Sequence, residues 1–210
     1  MARVRSLLRL RMYYRDLEAH QSVLLSLASV LEAKDPYTKG HSARVGELGA
    51  RLAREVGLAP EACELMKVAG LLHDIGKVGV PEALINKKGH LTEDEFLTIM
   101  THPGSGERLC RPLRTVHAAL PMIRYHHERY DGKGYPDHLR GEEIPLGARV
   151  LALADAFDAL TSNRSYRKKL ASDEALGILA RETVEGHWDP AIYAALAAMV
   201  RKESAGSAGA

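Results

Sequence analysis

The chain has 210 residues, enough for one sizeable domain or a domain with an appendage. Its composition, 46% hydrophobic and 27% charged, is that of a globular protein, and a net charge of +2 makes no case for a nucleic acid polymer or a membrane surface as partner. Cys63 and Cys110 are isolated and read as reduced intracellular thiols; no uninterrupted apolar run reaches about 18 residues, so the expected location is cytoplasmic.

In chain order, Arg3, Arg5, Arg9 and Arg11 precede the apolar stretch Ser22 to Leu31, with Asp16, Glu18 and His20 between, which fits a secretory signal poorly. Leu7, Leu10, Tyr14, Leu17, Gln21, Leu24, Ala28 and Leu31 follow three- and four-residue steps, the seam of one long leading helix that breaks at Asp35-Pro36. Packing on its own domain and pairing in a homodimer are both open for residues 1–30. Apolar-periodic segments follow at about 41–56, 61–77, 93–101, 115–127, 146–161, 173–184 and 190–201. Thr92 and Glu95 predict a capping box, and Pro145 and Pro190 stand at first turns, the latter with Asp189 as cap. No segment alternates like a strand with hairpin signals, although Lys77 to Pro81 is short and β-branched. The expected fold is all-α, with a leading helix over 1–30, a domain over 31–203 and a small polar tail over 204–210.

Chemistry enters with polar groups on apolar segments. His73 and Asp74 follow the run Val68 to Leu72, where each would cost several kcal/mol unless paired or ligated. On a helix, Lys77 would lie over the same patch. His41 opens a helix bearing Arg44 and Val45, His102 precedes Pro103, and His126 and His127 close another helix. Asp155 interrupts the apolar run Val150 to Ala154. A histidine and carboxylate set without cysteine favours iron, manganese or a similar ion over structural zinc. Adjacent residues on a helix point roughly 100° apart. His126 and His127 therefore share an ion only near the helix end, or serve two ions. Seven donors exceed the needs of one open ion, whereas a two-ion site with a bridging carboxylate accommodates them and activates hydroxide for attack on phosphorus.

These residues carry a resemblance. His73-Asp74-Ile75-Gly76-Lys77, His126-His127-Glu128, Asp131-Gly132, Gly134-Tyr135-Pro136 and Gly141 to Pro145 together resemble the HD-GYP family, phosphodiesterases of cyclic di-GMP within the HD metal-hydrolase superfamily. The likeness is dense from about Leu31 to Leu170, including Ala148 to Thr161 and Arg164, Tyr166 and Arg167. It implies an HD-domain helical bundle and hydrolysis of cyclic di-GMP to pGpG or GMP by a hydroxide that two divalent ions activate. It also implies roles. His41, His73, Asp74 and Asp155 match the general ligand set, and His102, His126 and His127 the ligands of a second ion, with Asp74 bridging. Lys77 matches a lysine on the scissile phosphate, Arg164 and Arg167 match basic residues facing substrate phosphates, and Tyr135 belongs to the substrate loop. Cyclase or other signalling domains are the implied partners besides the nucleotide.

Two departures from the pattern matter. Some members carry a glutamate where this chain has Tyr37, so two ions are expected and not three. The loop continues as Asp137-His138-Leu139 where the family places glycine at the middle position, which would strain His138 if the backbone there has positive φ. Another HD nucleotide phosphohydrolase and a non-catalytic cyclic di-GMP-binding or partner-docking module are the alternative readings. Asp158, one turn beyond Asp155, reads either as an acceptor that orients a ligand or as a salt-bridged helix residue.

Overall fold

The computed structural model describes residues 40–87, 89–163 and 168–207, together with residues 11 and 26. The proposed seam of the leading helix therefore lies outside the described residues. Everything described is helix, turn or loop, without a strand. Among these residues no helix is long and apolar enough to cross a membrane.

Helices α1 (His41–Glu55) and α2 (Pro60–Leu72) form a hairpin, joined by a connection of four residues. Pro60 stands in the first turn of α2, where its missing N–H has no intrahelical partner to lose. The two helices touch backbone to backbone at Gly46 and Gly70: a Cβ on Gly70 would sit 2.3 Å from the Gly46 Cα. That contact sets the start of α1 beside the end of α2, so His41 and His73 lie with ring centroids 5.6 Å apart.

The periodic pattern predicted one helix over 61–77, but α2 stops at Leu72 and the chain tightens into a 3-10 turn over Ile75–Gly79. Gly76 in that turn presses on the next part of the fold, its absent Cβ only 1.9 Å from the His102 carbonyl oxygen. Short α3 (Glu82–Ile85) leads to α4 (Glu93–Met100), opened by the Thr92–Glu95 capping box as predicted. After α4 comes a helix the periodicity did not reveal, α5 (His102–Cys110). Its sequence holds Pro103, Gly104 and Gly106, poor helix formers, but Pro103 falls in the first turn and Gly106 packs against the Gly76 turn.

The predicted segment 115–127 divides into a 3-10 turn, Arg114–Ala119, and α6 (Leu120–Tyr125). A loop and a further 3-10 turn, Gly141–Glu143, lead into α7 (Leu146–Thr161). This helix buries Val150, Leu151, Leu153 and Ala154 on successive faces, as a central helix must. It packs against α1, α6 and the last pair, α8 (Ser172–Val184) and α9 (Pro190–Ser207). Asp189 caps α9 through the Ala191 N–H at 2.9 Å and also holds Arg149 of α7 at 2.5 Å. Leu52, Met66, Leu72, Ile123, Leu151, Leu179 and Leu196 form the centre of the hydrophobic core, and α2 and α6, which contribute Leu72 and Ile123 to it, end at His73 and His126.

Candidate metal centre

Three helix ends aim three imidazoles at one place. His73 follows the last residue of α2, and its Nδ1 lies 2.7 Å from the Gly70 carbonyl. His102 does the same for the Ile99 carbonyl of α4 at 2.7 Å, and His126 for the Ile123 carbonyl of α6 at 2.8 Å. Each ring N–H thus donates to a backbone carbonyl in the last turn of the helix before it, the turn whose carbonyls lack regular helical partners. Because a carbonyl only accepts, the proton sits on Nδ1 and the lone pair on Nε2. His41 is oriented differently, its Nδ1 lying 2.7 Å from Asp158 Oδ2. Arg44 Nε and Nη2 donate to the same carboxylate at 2.7 and 3.0 Å, and the Ser162 hydroxyl donates at 3.2 Å.

The donor atoms gather in two adjacent groups. Those of Asp74, His102, His126 and His127 all lie within 4.8 Å of one another, and so do those of His41, His73 and Asp155. Asp74 stands between the groups: Oδ1 is 3.2 Å from His102 Nε2, and Oδ2 is 3.4 Å from His73 Nε2. Lys77 Nζ donates to that Oδ2 at 2.6 Å. In the second group His41 Nε2 is 3.1 Å from Asp155 Oδ1. His126 follows the last residue of α6, and the donor atoms of His126 and His127 fall in the same group at that helix end.

Whether these residues suit a metal ion is decided by His102 and His126. Their Nε2 atoms face each other at 3.3 Å, and both rings already carry their proton on Nδ1. Two lone pairs aimed at each other repel, and a cation accepting both relieves that repulsion. Both groups are made of nitrogen and oxygen donors; Cys63 and Cys110 are buried in the core away from them. The two clusters are thus able to hold divalent metal.

Burial leaves one side open. His73, His102 and His126 are at most 2% exposed, whereas His127, Asp155 and Lys77 are half-buried. Burial, then the neighbouring His102, pushes the His127 imidazole down to about 3, and burial holds His126 well below its ordinary range. Burial works against ionisation of Asp74, but Lys77 and His73 outweigh it and keep the carboxyl well below its usual range. These are the neutral imidazoles and ionised carboxylates that bind a cation. His41 is the exception: burial opposes its charge, yet Asp155 and Asp158 raise it to about 9, so an ion there displaces a proton.

Tyr135 lies against the same centre, its ring stacked on His127 with centroids 4.8 Å apart and its N–H 3.2 Å from the His127 carbonyl oxygen. Phe96 of α4, 48% exposed, makes a T-shaped contact with the Tyr135 ring at 6.3 Å. His138 has φ +57, the left-handed backbone that its replacement of glycine anticipated. Of the residues singled out in the sequence, all seven metal-ligand candidates, Lys77 and Tyr135 converge here, while Arg164, Arg167 and Tyr37 lie outside the described residues. Asp158 proves to be both an acceptor for His41 and a salt-bridge partner of Arg44. The part of Arg44 was missed, although Arg44 follows His41 by three residues as Asp158 follows Asp155, a same-face spacing on each helix.

Comparison with known proteins gives a consistent result. A family model described as the HD domain matches residues 26–192. The chain is 40% identical over 195 residues to a cyclic di-GMP phosphodiesterase of Pseudomonas aeruginosa, covering 88% of this chain and 46% of that protein. It is 36% identical over 176 residues to a 3'3'-cGAMP-specific phosphodiesterase of Vibrio cholerae, covering 84% of this chain and 41% of that one. The chain therefore spans less than half the length of these relatives. Among solved structures, a cyclic GMP-AMP-specific phosphodiesterase from Vibrio cholerae superposes with a TM-score of 0.67 at 22% identity, covering 85% of this chain and 48% of its own. An HD-GYP-type protein from Bdellovibrio bacteriovorus does so with a TM-score of 0.62 at 23% identity, covering 77% of this chain and 51% of its own.

Proposed function

We propose, from the premise that this chain belongs to the HD-domain family and to its HD-GYP branch, that it is a metal-dependent phosphodiesterase opening cyclic di-GMP to pGpG or GMP. One observation carries the reading: seven buried or half-buried donors in two adjacent groups joined through Asp74. His41, His73 and Asp155 would hold one divalent ion, His102, His126 and His127 a second, and Asp74 would serve both. The absence of any cysteine donor favours iron or manganese. When bound, such a pair would supply Lewis acidity to a phosphate and lower the pKa of bound water.

The chain's own groups do the rest. Lys77 holds its ammonium on Asp74, at the half-exposed side of the centre, where it faces charge developing on the phosphate. Tyr135 walls the open side beside His127, and Arg164 and Arg167 are the proposed grips for the substrate's other phosphate. Identity to the 3'3'-cGAMP-specific phosphodiesterase carries a second reading, in which the mixed purine cyclic dinucleotide is the substrate. The heptad seam over 1–30 is proposed as a homodimer contact.

The assay offers cyclic di-GMP, 3'3'-cGAMP and mononucleotides to protein reconstituted anaerobically with Fe(II) or Mn(II), with products read by chromatography. Linear pGpG or GMP is the expected product. Faster turnover of 3'3'-cGAMP selects the second reading, and turnover of mononucleotides alone refutes both.

A further inference from the structure

The loop carrying Tyr135 is fixed at two points of unequal security. Its first half is tied to a ligand candidate, through the Tyr135 N–H on the His127 carbonyl and the ring stack on the imidazole. Its second half passes through His138 at φ +57, the one side-chain-bearing residue among those described with left-handed backbone. A Cβ disfavours that conformation, so neighbouring contacts must hold it.

Those contacts converge on Asp137. Its N–H donates to Glu128 Oε1 at 2.7 Å, and Glu128, 4% exposed, also faces the amides of His138 and Leu139. Its carboxylate takes a two-pronged grip from Arg124, Nε at 3.0 Å and Nη2 at 2.8 Å. The third nitrogen of the same guanidinium, Nη1, donates to Glu107 of α5 at 2.9 Å. Arg111 holds the other oxygen of Glu107 at 2.7 Å, and the Tyr125 hydroxyl reaches Asp137 as well. An exposed ion pair on its own contributes little. Here the guanidinium is already fixed on α5 before it meets the loop, so little freedom is lost on binding Asp137. Arg124 also sits on the last turn of α6, two residues before His126, so one helix end carries both the donors and the clamp.

We propose that Arg124 is a positioning residue: by gripping Asp137 it holds the 134–139 loop, and Tyr135 with it, against the His127 side of the metal centre. Its consequence for substrate rests on the phosphodiesterase reading above. Its consequence for the loop does not.

The test uses the full chain and the variants Arg124→Ala, Arg124→Lys, His138→Gly and the double variant Arg124→Ala/His138→Gly. Hydrogen exchange of the segment 129–140 is followed by mass spectrometry. Exchange in Arg124→Ala should rise about tenfold in this segment and stay at the wild-type rate in α1, α2 and α7. His138→Gly, which removes the left-handed strain, should recover about fivefold of that loss in the double variant, equivalent to about 1 kcal/mol. With cyclic di-GMP, KM should rise about fivefold in Arg124→Ala while kcat changes less than twofold, and Arg124→Lys should fall between. Should Arg124→Ala not fold, Asp137→Ala removes the same grip while sparing the Glu107 pair, and the same local rise is expected. Wild-type exchange in 129–140, a rise spread evenly over the chain, or no recovery with His138→Gly overturns the proposal. A wild type inert toward cyclic dinucleotides, with the local rise intact, sinks the substrate reading and leaves the loop clamp standing.

Discussion

Asp158 touches no proposed ion, yet it decides which nitrogen of His41 can. Its Oδ2 takes the Nδ1 proton at 2.7 Å, leaving Nε2 to face Asp155, and Arg44 keeps the carboxylate in place. Replacing such an orienting carboxylate typically lowers metal affinity 10–100-fold. Asp158→Asn is therefore expected to weaken the ion proposed for His41, His73 and Asp155 by about that factor, measured by chelator competition. Activity at saturating metal should recover to within about tenfold, and an unchanged affinity would remove Asp158 from this role. The residue types at the centre were legible in the sequence because each stood, unexplained, on an apolar segment. The partners of those residues were less so: Glu107 and Asp137 look like ordinary surface acids until the fold brings Arg124 between them.

At the scale of elements, the Gly46–Gly70 crossing governs the distance between the two halves of the His41 group. A methyl on Gly70 would meet the α1 backbone at 2.3 Å, a contact no side-chain rotation can relieve. Gly70→Ala should force α1 and α2 apart and destabilise by about 1–3 kcal/mol, as overpacking does. A calorimetric Tm lower by about 2–12 °C is the expected readout, accompanied by loss of one equivalent of metal. Wild-type stability and stoichiometry would show that the crossing yields without effect. The helices themselves were read from periodicity, and α1, α4, α7, α8 and α9 stand close to where it put them. The break at His73 and the start of α5 were hidden for a shared reason. Both are set by the Gly76 turn meeting His102 and Gly106, a contact between segments that no local pattern encodes.

For the whole molecule, the donors come from the start of α1, the turn after α2, the start of α5, the end of α6 and the middle of α7, so ions bound among them would join most of the fold. Stripping metal with a chelator should therefore lower Tm. With free ion at about 100 times its dissociation constant, binding stabilises by about 2.7 kcal/mol per site. For a domain of this size that corresponds to about 5–10 °C for each ion removed, reversed on adding Mn(II). An unchanged Tm in the stripped sample, with removal verified by elemental analysis, would mean that the centre does not hold ions tightly. One further consequence follows from the three imidazoles that complete helix termini through Nδ1. Transplanting this centre into another scaffold would take more than seven side chains at matching coordinates. The host would have to stop three helices at a common point, because the backbone carbonyl ending each helix is what turns its imidazole inward.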